Sequence, residues 1–203
     1  GSSIDGITVE IGRYSSGTTP RIRDNDLFLI NGQKQVVGVN KALTTTNWPT
    51  SEANQTYGGA TDTWNAFLTV ADVNDIDFGV AIVVRNANVS KFRTAYIDYV
   101  RITINYTVPC SGTPSPGNTI ASIDPVANGV PFTLSLQNTT AGAGVTYQWQ
   151  SGLSSTGPWS NIAGANGSTL TTTQYSTTWY RCIVTCSATG NSGTSNPIEV
   201  NSS

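Results

Sequence analysis

Four oxygen-bearing side chains, Asp72, Asn74, Asp75 and Asp77, fall within six residues directly ahead of the apolar run that begins at Phe78. Carboxylate and amide oxygens at alternating loop positions are ligands for Ca²⁺, so this is the candidate metal site and calcium the one cofactor the residues bring forward. The spacing lacks the frame, central Gly and terminal Glu of an EF-hand, and a turn whose Asx side chains cap backbone N–H groups accounts for the same residues. Asp24, Asn25 and Asp26 form a weaker cluster, with Arg21 and Arg23 close enough to neutralise it. A second chemistry comes from Trp48, Tyr57 and Trp64, set among Asn, Gln and Thr. Aromatic faces stack on sugar rings while neighbouring amides take hydroxyls, which makes these three the candidate glycan-binding residues. The plainer alternative is that each packs under its own long loop. Trp159 and Trp179 are read likewise, with Trp179 out of phase with Tyr180 and therefore facing outward.

Groups for catalysis are scarce. The chain has no His, which removes the commonest general base and metal ligand together. Paired carboxylates can hydrolyse without His, but the acids here cluster in turns and no pair is placed across a cleft. No catalytic residue is assigned, and the expectation is a non-enzymatic protein. Gly142-Ala143-Gly144 lacks the Lys and helix of a phosphate-binding loop and reads as a hairpin loop. Three cysteines, Cys110, Cys182 and Cys186, allow one disulfide and leave an odd thiol, with no C-x-x-C spacing for zinc. An oxidising, extracellular or cell-surface setting follows. Asn54, Asn88, Asn105, Asn138, Asn166 and Asn201 each open an Asn-x-Ser/Thr triplet, a frequency that a chain so rich in these residues reaches by chance.

Only 11% of the 203 residues are charged, ten basic against twelve acidic, with net charge −2 and pI near 4.9. There is no basic footprint for nucleic acid, and no apolar stretch nears the roughly 20 residues of a membrane span. A chain without Met is expected to be a processed or excised piece of something longer.

The elements that must position these residues are strands. Ile4–Ile11 reads as a strand, and Leu27–Ile30 and Val36–Val39 flank the turn signal Asn31-Gly32. Trp64, Ala66, Leu68 and Val70 alternate with polar or exposed positions, and Phe78, Val80, Ile82 and Val84 alternate with Gly79, Ala81 and Val83. Val100, Ile102, Ile104 and Tyr106 give the cleanest period of two. Lys41–Thr63 reads as an excursion loop. Thr107–Asn118 holds Pro109, Pro114 and Pro116 with two Gly, a natural boundary. Beyond it, Val145, Tyr147 and Trp149 share one strand face, and Tyr180, Cys182, Val184 and Cys186 another. A core Trp on one strand and a Tyr-x-Cys on a later one is the immunoglobulin-like signature. Phe132, Leu134, Leu136, Trp159, Ile162, Leu170, Ile198 and Val200 complete that core. The predicted fold is all-β, two β-sandwiches in series: residues 1–107 jelly-roll-like, 108–118 a linker, and 119–203 immunoglobulin-like.

Residues 110–200 resemble the immunoglobulin-like modules found, often in tandem, in very large surface proteins of Bacteroidota bacteria. The resemblance is carried by Cys110-Ser111-Gly112-Thr113-Pro114, Phe132-Thr133-Leu134-Ser135-Leu136, Tyr147-Gln148-Trp149-Gln150 and Tyr180-Arg181-Cys182-Ile183-Val184-Thr185-Cys186. That family often has another Cys before the Phe-Thr-Leu strand, where this chain reads Val126-Ala127-Asn128-Gly129. The resemblance implies that Cys110 pairs with Cys186, with Cys182 the alternative partner. The first half resembles a jelly-roll-like sandwich of bacterial and phage surface proteins through Ile4-Asp5-Gly6-Ile7, Thr56-Tyr57-Gly58-Gly59, Asp62-Thr63-Trp64, Asp77-Phe78-Gly79-Val80 and Ile97-Asp98-Tyr99-Val100. In such modules earlier strands precede the Ile-x-Gly-Ile strand. The resemblance therefore implies a sandwich short of its opening strands, which an extended segment of another chain could complete. The expected function is a structural or adhesive module of a large secreted surface protein or filament, with other copies or neighbouring modules as partners. The alternative is a carbohydrate-binding accessory module with glycan partners.

Overall fold

The computed structural model describes residues 1–17, 19 and 21–203. The fold is nearly all β, with 48% of residues in strands and 2% in helix. The chain divides into two compact units, Gly1–Thr107 and Val108–Ser203.

In the first unit β1 (Ser3–Ser15) lies between β4 (Ala53–Gly58) and β6 (Ala95–Thr107), all antiparallel. A second sheet sets β2 (Ile22–Ile30) between β3 (Val36–Val37) and β5 (Gly79–Asn86). The inward residues of the two central strands, Ile7, Val9 and Ile11 on β1 with Leu27 and Leu29 on β2, are fully buried against one another. Six strands are described, against the eight of a jelly roll.

Two stretches differ from the sequence reading. Lys41–Thr63 is not wholly a loop, because Ala53–Gly58 pairs with β1 as β4. Its polar composition hides a strand with a solvated outer face. Trp64, Ala66, Leu68 and Val70 do not form a strand. Trp64, Asn65 and Phe67 adopt left-handed φ of 57°, 54° and 50°, and α1 (Val70–Asn74) follows. The tertiary setting holds this backbone: the Trp64 indole N–H donates to the Ile7 carbonyl at 2.8 Å, and its backbone N–H to Asp62 Oδ1 at 2.8 Å. Gly58, at φ +70°, lets strand and indole meet, since a Cβ there would collide with the Ile7 carbonyl and the Trp64 ring.

In the second unit β9 (Val145–Gly152) and β12 (Thr178–Cys186) form the centre of one sheet. It is flanked by β10 (Trp159–Asn161) beside β9, and by β13 (Asn191–Thr194) and β14 (Ile198–Val200) beside β12. The facing sheet is β11 (Leu170–Thr172), β8 (Phe132–Leu136) and β7 (Thr119–Ala121). Trp149, Tyr180, Cys182 and Val184 from one sheet bury against Phe132 and Leu134 from the other, and Phe132 meets Tyr180 edge to face at 5.8 Å.

Residues 108–118, read from composition as a linker, lie within the second unit. Cys110 is disulfide-bonded to Cys186, 76 positions away, with Cα atoms 5.7 Å apart. Pro109 bridges to Ala143 and Asn118 to Asn196, and Pro114 and Pro116 are buried. Proline removes ladder donors without preventing this segment from packing.

Candidate functional site

Each of the four proposed calcium ligands has a partner within the protein. Asp72 caps α1: its carboxylate accepts from the Thr69 backbone N–H at 2.9 Å and hydroxyl at 2.6 Å, while Asp72 N–H donates to Thr69 Oγ1. This reciprocal capping box holds the Asp72 carboxyl below its ordinary pKa, the Thr69 side-chain bond being the largest cause. Asn74 donates to the Val70 carbonyl, Asp75 accepts from the Asp77 N–H, and Asp77 pairs with Lys34 at 3.4 Å. Among the described residues no group of three or more His, Cys, Asp or Glu gathers as a metal would need. Asp72 and Asp75 thus cap backbone N–H groups, while Asn74 bonds a carbonyl and Asp77 an ammonium.

Trp48 and Trp64 are fully buried and Tyr57 nearly so, so none offers a ring face to a sugar. The stacking role assigned to them from sequence is corrected accordingly. Trp48 and Tyr57 border a buried ionic centre instead, while Trp64 sits in the apolar core with its indole N–H on the Ile7 carbonyl. Arg13 on β1 forms a salt bridge with Asp24 on β2, both side chains being almost without exposure. Asp24 also accepts from Trp48 Nε1 and the Tyr57 hydroxyl, both at 2.7 Å, and from the Leu43 backbone N–H at 2.9 Å. The Arg13 guanidinium lies 4.8 Å from the Trp48 ring centroid and 5.5 Å from that of Tyr57. Burial first, then its bond to Asp24, raises the Tyr57 pKa, so the phenol stays protonated. Every Asp24 partner supplies a proton, which is how a buried carboxylate is stabilised. Arg21 and Arg23 do not neutralise Asp24: Arg21 donates to the Trp48 carbonyl and Arg23 to Asn47.

Sequence alternation could have found Arg13, which continues the inward series Ile7, Val9, Ile11. Asp24 was harder, because a bulge at Asn25 shifts the phase of β2 between Asp24 and Asp26.

The open part of the first unit lies along β6. Its inward residues oppose fully buried β1 residues (Val100 beside Ile11, Ile102 beside Val9, Ile104 beside Ile7), yet Val100 is 46% and Tyr106 60% exposed. Beside its C-terminal end, Ile4, Val70, Val73, Ile104 and Tyr106 line a cavity of about 280 Å³. A smaller one of about 200 Å³ is lined by Ile4, Ile7, Phe67 and Leu68. Strand β6 hydrogen-bonds only to β1, so its other edge has no strand partner among the described residues.

In the second unit Cys186 takes the disulfide, and Cys182 is a free thiol in the core. Burial pushes the Cys182 thiol up to about 11, leaving it unreactive near neutrality. Trp159 and Trp179 are half-buried, and the strand register puts both on the outer face of their sheet. Among the described residues no helix is long and apolar enough to cross a membrane.

A search of curated proteins finds no match to this chain. Residues 116–203, within the second unit, match the family described as "Domain of unknown function (DUF8696)".

Proposed function

We propose that this chain is a non-enzymatic structural and adhesive part of a secreted, cell-surface protein or filament, in which the first unit takes an extended segment of a neighbouring copy or module by strand addition. The observation that carries this reading is the unpaired edge of β6 beside an incompletely covered apolar face. Exposed edges are normally blunted by short length, charged side chains (Lys above all), Pro or bulges. Strand β6 runs for 13 residues with no Pro or Lys; its charges are Asp98 and Arg101 alone, and its one bulge is at Asp98. An added strand would pair with the free N–H and C=O groups and place alternate side chains over Val100, Ile102 and Ile104 and into the cavity beside Tyr106. The disulfide within the second unit supports an extracellular setting, and the near absence of charge there supports a spacer role.

Light scattering on the 203-residue chain across a concentration series tests this. Assembly that grows with concentration and is suppressed by Val100→Lys is the expected result. Val100 is exposed, so that substitution leaves the fold intact. A monomer of 21.4 kDa at every concentration, or assembly indifferent to Val100→Lys, contradicts it.

A further inference from the structure

Among the charged residues of the second unit, Asp124, Arg181 and Glu199, Arg181 is the one cation. The register of the outer sheet face sets Trp159, Gly152 and Trp179 in one row, and Asn161, Gln150 and Arg181 in the next. Strand β14 extends the first row with Glu199 opposite Trp179. Gly152 gives Trp159 room to lie across β9, since a Cβ there would sit 3.1 Å from the indole Cε3. The Arg181 guanidinium carbon is 4.3 Å from the Trp159 ring centroid. Its Nε donates to Gln150 Oε1 at 2.7 Å, and Gln150 Nε2 donates in turn to Asn161 Oδ1 at 2.8 Å. Gln150 is only 8% exposed, so a buried amide fixes the guanidinium in orientation.

Packing accounts for the stacked guanidinium and for the Gln150 relay. It leaves the Nη1 and Nη2 donors of Arg181, which make no hydrogen bond among the described residues. A fixed fork of donors matches a carboxylate in two parallel bonds. Trp179, two positions away on the same strand face, stands roughly 6–7 Å along the sheet, about the span of one pyranose ring with its carboxylate.

We propose that this outer face binds an acidic glycan, with the carboxylate of a uronic- or sialic-type sugar on the Arg181 fork and the C–H face of its ring on Trp179. The carboxylate of Glu199, opposite Trp179, flanks that position as a partner for ring hydroxyls. One guanidinium matches one carboxylate, and Glu199 in the adjacent row disfavours a more highly charged group. The site belongs to the second unit alone and is independent of strand addition at β6.

The test titrates the full chain with galacturonate, glucuronate and mannuronate oligomers, with sialyllactose, and with a neutral cello-oligomer, by calorimetry and Trp fluorescence. At least one acidic glycan should bind, about tenfold or more tighter than the neutral oligomer, because a hydrogen bond to a charged group is worth that factor. Trp179→Ala and Arg181→Gln should each weaken binding by about tenfold or more, and Arg181→Lys, which keeps charge without the fork, should also weaken it. Arg101→Gln, in the first unit, should leave it unchanged. Unaltered circular dichroism would show that the outer-face variants fold. Failure of every acidic glycan to saturate the chain would overturn the proposal. So would equal binding of the neutral oligomer, or binding indifferent to both Trp179→Ala and Arg181→Gln.

Discussion

Asp24 decides the interior of the first unit at the residue scale. Four donors converge on one buried carboxylate, so removing it strands the Arg13 guanidinium in the core. Asp24→Ala should cost about 3–5 kcal/mol in urea unfolding, whereas replacing Arg13 and Asp24 together by apolar residues of similar volume should recover only part of that loss, because Trp48, Tyr57 and the Leu43 N–H still lose their acceptor. The same scale sets the alkaline limit. Burial raises the pKa of Tyr57, Tyr180 and Cys182, the last to about 11. Each stays protonated in the folded chain at pH values where the unfolded chain has begun to ionise. Their contribution is therefore intact below the unfolded-state values, about pH 9 for the thiol and 10 for the phenols, and is lost as pH rises above them. Thermal midpoints should be flat from neutrality to about pH 9 and then fall, with Cys182→Ala removing the earliest part of the decline. Trp48 and Trp64 follow the packed alternative of the sequence reading rather than the exposure that their polar neighbours suggest. Their N–H groups are satisfied internally, by Asp24 and the Ile7 carbonyl, and composition carries no record of that.

Elements with an uninterrupted period of two were legible. The inward faces of β1, β9 and β12 follow directly from alternating apolar residues, and the core pair Trp149 and Cys182 stands in register as that pattern requires. What was not legible depends on tertiary contacts. The left-handed residues before α1 exist because Trp64 is anchored at Ile7. The Val108–Asn118 segment is ordered by partners far along the chain. The disulfide closes a long loop, so Cys110→Ser should destabilise the second unit by about 4 kcal/mol in the chain-entropy account. Denaturant unfolding followed by a probe in each unit should show that loss in the second and none in the first. The candidate acidic-glycan face belongs to this scale as well: the outward phase of Trp179 was readable, but its alignment with Trp159 across Gly152 needed the pairing of three strands.

For the whole molecule, the two units differ in how completely they are closed. The second covers its core with two sheets and fastens its first segment by a disulfide. The first buries its central strands completely, but leaves β6 half-covered on its inner face and unpaired on its edge. Nearly all of the charge lies in the first unit as well. Hydrogen–deuterium exchange across a concentration series tests the central claim, strand addition at β6, most directly. Amides of β6 that point away from β1 should exchange quickly in dilute samples and become protected as the chain assembles, while those bonded to β1 stay protected throughout. Exchange of β6 that does not change with concentration, or assembly that leaves its outer edge unprotected, would contradict the account.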